Sequence, residues 1–297
     1  MAFCRMSRFP GAQTKSARRV KNLAMGKTAI KGKIKKPVSA CIIAHNEAAR
    51  IGRCLESLRD FFDEVIVVID SRSTDETESI ARGFGCKVYL EDWKGFGPQK
   101  QSAVDKCSND WVFVIDSDEV LPGETADKIQ EIAATPAARA YAFPRKNFFH
   151  GRWMRHGDWW PDWQVRLVDK RYGRFAGAIH EGWEMEGGQA QKLEYPIEHY
   201  SFENYSSMLK TMDRYSSTIA GDMFSKGART NALEPVYHGV WMFLRIYIIK
   251  TGFLEGFDGL VMALLKAGGS FFKYAKLLEL QREKTVPCPV KKGDAGK

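Results

Sequence analysis

Between Pro37 and Leu121 the chain alternates four short β-branched runs with stretches of helical spacing, and no other feature narrows its folding options as much. VSACIIA (38–44), EVIVVID (64–70), CKVYL (86–90) and WVFVID (111–116) are apolar on both faces. Strands of that kind are buried on both sides, as in a parallel sheet covered by helices. Between them Ala48, Ile51, Leu55 and Leu58 recur at helical spacing behind Asn46, a predicted N-cap, and Ser73 with Glu76 has the spacing of a capping box. The pattern predicts a doubly wound α/β unit, whose ligands gather at the carboxyl ends of the strands.

The fourth run ends in FVIDSDEVLP, which sets Asp116, Asp118 and Glu119 within four positions. Carboxylates this close repel unless a positive charge lies among them. Across a turn, Asp116 and Asp118 can reach one site while Glu119 supports them, and an all-oxygen donor set favours Mg²⁺ or Mn²⁺ bridging phosphate oxygens. Other strand ends add to this chemistry. Asn46 and Glu47 follow the first run, and Asp70 ends the second, where a carboxylate accepts hydrogen bonds from a base imide or a ribose hydroxyl. WKGFGPQK (93–100) sets glycines and Lys100 before a helix, where amides and an ammonium can face a phosphate.

After Pro136 the alternation stops. Strands are expected near 140–148 and 163–168, with loops carrying Trp159, Trp160 and Trp163, either as core or as a surface for sugar and phosphate. Gln164 and Arg166 alternate along a strand, as solvated residues or as a diphosphate clamp. From Val236 the chain is helical and apolar, but its longest uncharged run, between Pro235 and Arg245, is too short to span a bilayer. Lys266, Lys273 and Lys276 share one face among apolar residues. That face suits either a helix lying in anionic headgroups or a helical cap packed on the domain.

The net charge of +9 is local. Eleven of the 45 Lys and Arg fall in residues 1–36, which contain no acid, so the remainder carries 34 basic against 36 acidic residues. The slightly acidic body argues against a nucleic-acid binder. The basic tail is expected to be disordered, as a leader ahead of a start at Met25, a presequence, or an arm that touches anionic lipid. The predicted organisation is a tail (1–36), a catalytic domain (37–232), a membrane-associated helical region (233–283) and a flexible end (284–297). Six cysteines form no CxxC pair and read as small buried hydrophobes in a reducing compartment.

These motifs together resemble the family 2 glycosyltransferases of GT-A fold: Asn46-Glu47 after the first strand, VVIDSRSTDET, and the DSDE form of D-x-D. QKQSA (99–103), DWQVRLV (162–168), GAIHEGWE (177–184), HYSFENY (199–205) and the KYAKLLE ending resemble the branch of bacterial lipopolysaccharide core β-1,4-glucosyltransferases that act on inner-core heptose. Arg72 stands where the family usually has glycine. The resemblance implies an α/β GT-A fold with a Rossmann-like nucleotide-binding half, a mixed sheet and an amphipathic helical appendage. It implies a UDP-sugar donor, with UDP-glucose first, Asp70 near the uracil or ribose, and Asp116 and Asp118 around a diphosphate-bound Mn²⁺ or Mg²⁺.

It also implies inversion at the anomeric carbon, hence a base for the acceptor hydroxyl. Glu181 is the expected base and Asp162 the alternative. His180 is expected to complete the metal or diphosphate site, and Trp159 and Trp160 to form acceptor platforms. A lipid-linked saccharide acceptor, with polyprenyl phosphate or another glycan or peptide as the alternative, and a peripheral position on the anionic cytoplasmic face of the inner membrane complete the expectation. A nucleotidyltransferase would need a Gly-rich, Arg-containing loop after the first strand, which is absent. A non-catalytic membrane adaptor would leave the acidic cluster without a role.

Overall fold

A computed structural model describes residues 37–177 and 182–285. The four apolar runs are strands, with ends shifted by a residue or two: Val38–Ala44 (β1), Glu64–Asp70 (β2), Lys87–Glu91 (β3) and Trp111–Val114 (β4). Helices Ile51–Leu58 (α1), Thr77–Gly83 (α2) and Phe96–Asp105 (α3) connect them. β1 pairs in parallel with both β2 and β4, and β2 with β3. Val38, Ala40 and Ile42 face α1, where Ile51, Cys54, Leu55 and Leu58 fall on one stripe. Cys41, Ile66, Val68 and Val112 face Ala103 and Val104 of α3. Both faces are therefore dry, which is why these runs carry no polar alternation. β3 forms the exposed edge and carries Lys87 and Glu91 there.

Two helix starts differ from the sequence reading. Asn46 does not cap α1, which begins five residues later behind Arg50 without a side-chain cap. Asn46 adopts φ 54°, and its Oδ1 accepts from the Thr74 amide at 2.8 Å. Ser73 and Glu76 form no capping box, because the Ser73 hydroxyl accepts instead from the Asn46 amide at 3.2 Å. The polar residues after β1 and β2 thus tie two loops together rather than starting helices.

The second half extends the sheet with mixed polarity. Glu119–Val120 (β5), Gly123–Ala134 (α4), Ala140–Phe149 (β6), Arg152–Trp153 (β7) and Asp162–Asp169 (β8) follow. Then come Gly173–Ala176 (β9), Gly182–Met185 (β10), Gln191–Lys192 (β11) and Ile197–His199 (β12). The main sheet runs β3-β2-β1-β4-β8-β6-β12-β5, with β8 antiparallel to both β4 and β6. Gly97 in α3 lies under the β9 end: a Cβ there would stand 2.3 Å from the Gly177 carbonyl oxygen.

Helices Tyr205–Ser225 (α5), Glu234–Leu244 (α6) and Gly256–Thr285 (α7) form the C-terminal layer. It starts earlier than Val236, at Asn204, whose Oδ1 accepts from the Ser207 amide at 2.9 Å in a true capping box. A π-helical turn (Arg245–Ile249) and a 3₁₀ turn (Gly252–Glu255) join α6 to α7. Of the expected headgroup face, Leu264, Lys266 and Phe272 stay exposed while Lys276 packs on α5. Lys276 donates to Asp213 Oδ1 at 2.6 Å and to the Ser216 and Ser217 hydroxyls on α5, and Lys266 lies 5.9 Å from the Trp159 ring centroid. No described helix is long and apolar enough to cross a membrane.

Candidate active site

Strand register brings the site together. β12 runs parallel to β6 and antiparallel to β5, so His199 stands in register with Asn147 on one side and Glu119 on the other. β8 runs back beside β4 with Leu167 opposite Phe113, and Arg166 thereby reaches the residues just past the β4 end. Asp116 and Asp118 lie in the turn from β4 to β5, and Glu119 opens β5. The Asp116 amide donates to Glu119 Oε2 at 3.0 Å, so Glu119, fully buried, supports that turn.

The positive charge facing Asp116 is the protein's own. Its Oδ1 lies 2.9 Å from Lys100 Nζ and its Oδ2 2.5 Å from Arg166, with Arg145 at 3.9 Å. Arg166 also binds Glu119. Burial alone would raise the Asp116 carboxyl, but the charges of Arg166, Lys100 and Arg145 outweigh it and hold it well below the usual range. Lys100 lies inside α3 rather than in the preceding loop, and reaches the site from the sheet face that α3 covers. Arg166, read as an outward strand residue, is buried, and Gln164 turns to Asp162, donating to its Oδ1 at 2.9 Å.

Asp118 faces a different partner. His199 Nε2 lies 3.5 Å from its Oδ2, and Arg50 lies at 3.9 Å. His199 Nδ1 sits 2.5 Å from Asn147 Oδ1, while the Asn147 amide nitrogen donates to the Trp159 carbonyl at 2.9 Å. That donation fixes which end of the amide faces the ring, so Nδ1 carries the hydrogen and a neutral imidazole presents a bare Nε2 lone pair to the Asp118 carboxylate. Two acceptors in that relation call for a cation between them, either a proton on the ring or a metal ion. One carboxylate and one imidazole are a fitting protein contribution to a Mn²⁺ or Mg²⁺ site whose remaining ligands come from a diphosphate. A hydrogen-bonded carbonyl behind a ligating histidine is the usual way such a ring is oriented. Among the described residues no set of three or more His, Cys, Asp or Glu converges on one point, so the described residues offer two donors here.

Beside this pair, Glu47 contacts Arg50 Nε at 2.9 Å. Burial pushes its carboxyl up to about 7, Arg50 opposing and Asp118 adding to the rise. Asp70 is held down to about 2 by Arg72, whose Nε and Nη2 donate to its two oxygens at 3.0 and 2.7 Å. Residue 72 thus covers the carboxylate expected to meet the base or ribose.

Asp162 is fully engaged. Arg145 donates to its Oδ2 from Nε and Nη2 at 2.8 and 2.6 Å, with Asn147 at 3.4 Å and Gln164 on the other oxygen. Its carboxyl lies below the usual range: burial would raise it, but the charge of Arg145 and the hydrogen bonds from Gln164, Arg145 and Asn147 prevail. Trp159 packs edge to face on Phe202 and borders an apolar cavity of about 310 Å³ between α5 and α7, whereas Trp160 packs on Trp153. His180 and Glu181 lie outside the described residues. Sequence reasoning missed Arg145, Asn147 and His199; the first two lie inside a strand, and His199 opens the HYSFENY stretch that carried part of the resemblance.

Residues 39–186 match the family model for glycosyl transferase family 2. An uncharacterized glycosyltransferase of Rickettsia felis is 34% identical over 84% of this chain and 92% of its own length. The lipopolysaccharide core biosynthesis glycosyltransferase LpsC of Rhizobium meliloti is 28% identical over 81% of this chain and 94% of its own. Among solved structures, S. aureus TarS in complex with UDP-GlcNAc superposes with a TM-score of 0.43 at 14% identity, covering 84% of this chain and 92% of TarS.

Proposed function

Because this chain belongs to glycosyl transferase family 2, we propose that it moves a hexose, glucose first, from a UDP-sugar to a hydroxyl of a lipid-linked saccharide, with inversion. The observation that carries this reading is the Asp118–His199 pair, an oriented carboxylate and imidazole at the mouth of the sheet beside three cationic side chains. The lipopolysaccharide core relative supports an acceptor in the lipopolysaccharide core; within it inner-core heptose is our choice, with the enzyme working at the cytoplasmic face of the inner membrane.

Asp118 and His199 would hold the Mn²⁺ or Mg²⁺, which supplies charge neutralisation for the departing diphosphate. Lys100, Arg145 and Arg166 fix the turn that carries Asp118, through Asp116 and Glu119. Their three charges balance those of Asp116, Glu119 and Asp162, so the charge that favours the departing diphosphate would come from the metal ion. Asp70, with Arg72 over it, lies where a uridine would be read. Asp162 has both oxygens engaged and a depressed pKa, which makes it a poor proton acceptor and supports Glu181 as the base. Trp159 and Trp160 are retained as acceptor contacts.

The test is a panel of nucleotide sugars incubated with Mn²⁺ and scored for hydrolysis, then extracted lipid acceptors with the best donor. UDP-glucose should be turned over, and Glu181→Gln should abolish transfer while UDP-sugar binding survives. If no nucleotide sugar binds or reacts in the presence of Mn²⁺, the reading is wrong; transfer by Glu181→Gln at the normal rate removes that residue from the mechanism.

A further inference from the structure

The join between α6 and α7 exposes large apolar side chains that no described part of the chain covers. Trp241, Leu244, Ile249, Phe253, Leu254 and Phe257 all face solvent, with Ile249 59%, Leu254 58% and Phe257 71% accessible. An open apolar groove of about 390 Å³ between α6 and α7, floored by Gly239 and Phe271 and bordered by Leu244, continues the same surface. Soluble monomers seldom display a contiguous apolar face of this extent without a partner.

The projection is rigidly built. Thr251 adopts φ 52°, a Cβ on Gly252 would lie 2.6 Å from the Ile246 carbonyl oxygen, and one on Gly259 would lie 2.0 Å from that of Gly252. Buried Glu255 accepts from the Arg155 and His156 amides at 2.8 and 3.0 Å, and the Gly157 amide donates to the Lys250 carbonyl. The turn is thus clamped to the body from behind while its front stays greasy. Burial lost on the outside is not a by-product of a loose loop.

Charge identifies the partner. Residues 236–258 contain Arg245 and Lys250 against Glu255 and Asp258, and both acids turn inward, Glu255 to the Arg155 and His156 amides and Asp258 to Arg152 and the Tyr205 hydroxyl. Those two cations share a single carboxylate, Asp158, at 2.6 and 3.3 Å, which leaves the rim net positive. Indole, phenyl and aliphatic groups above a cationic rim match the layering of a phospholipid interface, with apolar groups among the acyl chains and basic groups at phosphate level. We propose that the surface formed by the α6 end, the two following turns and the α7 start inserts into an anionic bilayer. The 155–159 loop behind it leads to Trp159 and Asp162, so docking turns the mouth of the site toward the lipid surface. This deepens the lipid-linked acceptor reading, but its test needs no sugar chemistry, so either can fail alone.

The experiment is flotation of the full chain with phosphatidylcholine vesicles, with or without phosphatidylglycerol. The wild type should float with the anionic vesicles, and a Leu254→Asp/Phe257→Asp double variant should partition roughly tenfold or more weakly. That variant should keep its far-UV spectrum and its Mn²⁺-dependent UDP binding. Brominated phosphatidylglycerol should quench a fluorescence component that Trp241→Phe removes. Residual binding in about 0.5 M salt separates insertion from attraction of the basic residues 1–36 alone. Equal flotation of the double variant, equal binding to pure phosphatidylcholine, or no binding by the wild type overturns the proposal. So does sedimentation showing a dimer that the two substitutions dissociate while flotation is unchanged, because the face would then belong to a second copy.

Discussion

Replacing Asn147 by Leu tests whether the imidazole of His199 is oriented for metal binding. Leucine keeps the approximate size of this buried side chain and removes both its acceptor to His199 Nδ1 (2.5 Å) and its donor to the Trp159 carbonyl (2.9 Å). Leaving two buried polar groups unmatched should cost about 2–4 kcal/mol of stability, within the roughly 5–15 kcal/mol margin of a typical domain. Without the acceptor behind it, the ring is free to rotate or to move its hydrogen to Nε2, and either change withdraws the lone pair from Asp118. Loss of such an orienting partner weakens metal affinity by roughly 10- to 100-fold, about 1.4–2.7 kcal/mol.

The assay is a Mn²⁺ titration of UDP-glucose hydrolysis at saturating donor, with thermal unfolding as the control for folding. The apparent metal constant should rise by that factor, and turnover should recover at high Mn²⁺. His199→Ala should lose more. The double variant should lose no more than His199→Ala alone, since Asn147 acts through the ring. An unchanged metal constant in a folded Asn147→Leu protein refutes the reasoning, as does an additive loss in the double variant.

Two further outcomes follow from the scaffold. Glu64 accepts from Ser39, Ser108 and Lys87, and although burial opposes them these donors bring its carboxyl down to about 2. Its stabilisation is present above the unfolded value near 4.5 and lost as pH falls toward 2, so Glu64→Gln should cost roughly 3 kcal/mol at pH 7 and little at pH 2 in urea melts; a gap independent of pH would refute this. Gly97→Ala should destabilise by roughly 1–3 kcal/mol and displace the chain beyond β9, lowering transfer more than UDP affinity, as kinetics and binding on the same preparation would reveal. Wild-type transfer and stability would mean that the Gly177 backbone yields freely.

The nucleotide-binding half was legible because parallel strands dry on both faces leave a continuous apolar signature, and β1, β2 and β4 carry it undiluted. The acidic turn was legible because carboxylates so close require charge compensation. What the sequence hid was that Lys100, Arg145 and Arg166 provide that charge for Asp116 and Glu119, which leaves Asp118 to pair with His199. Those partners come from α3, β6, β8 and β12, and only the mixed register of β8 and β12 brings them together; no local spacing encodes it. Asn46 and Ser73 misled for the opposite reason. Their local chemistry suits a cap, but a contact between two loops takes the same polar atoms. On α7, lysine spacing marked a face but not how it divides, since whether Lys276 meets α5 or solvent is decided by packing.

The loop from Arg155 to Trp159 is held from two directions. Glu255, Lys250 and Arg245 grip it on the C-terminal side, and Asn147 grips it at the Trp159 carbonyl. A shorter protein ending before α6 would therefore not be a minimal transferase with an ornament removed. It would lack one jaw of the vice that sets the histidine.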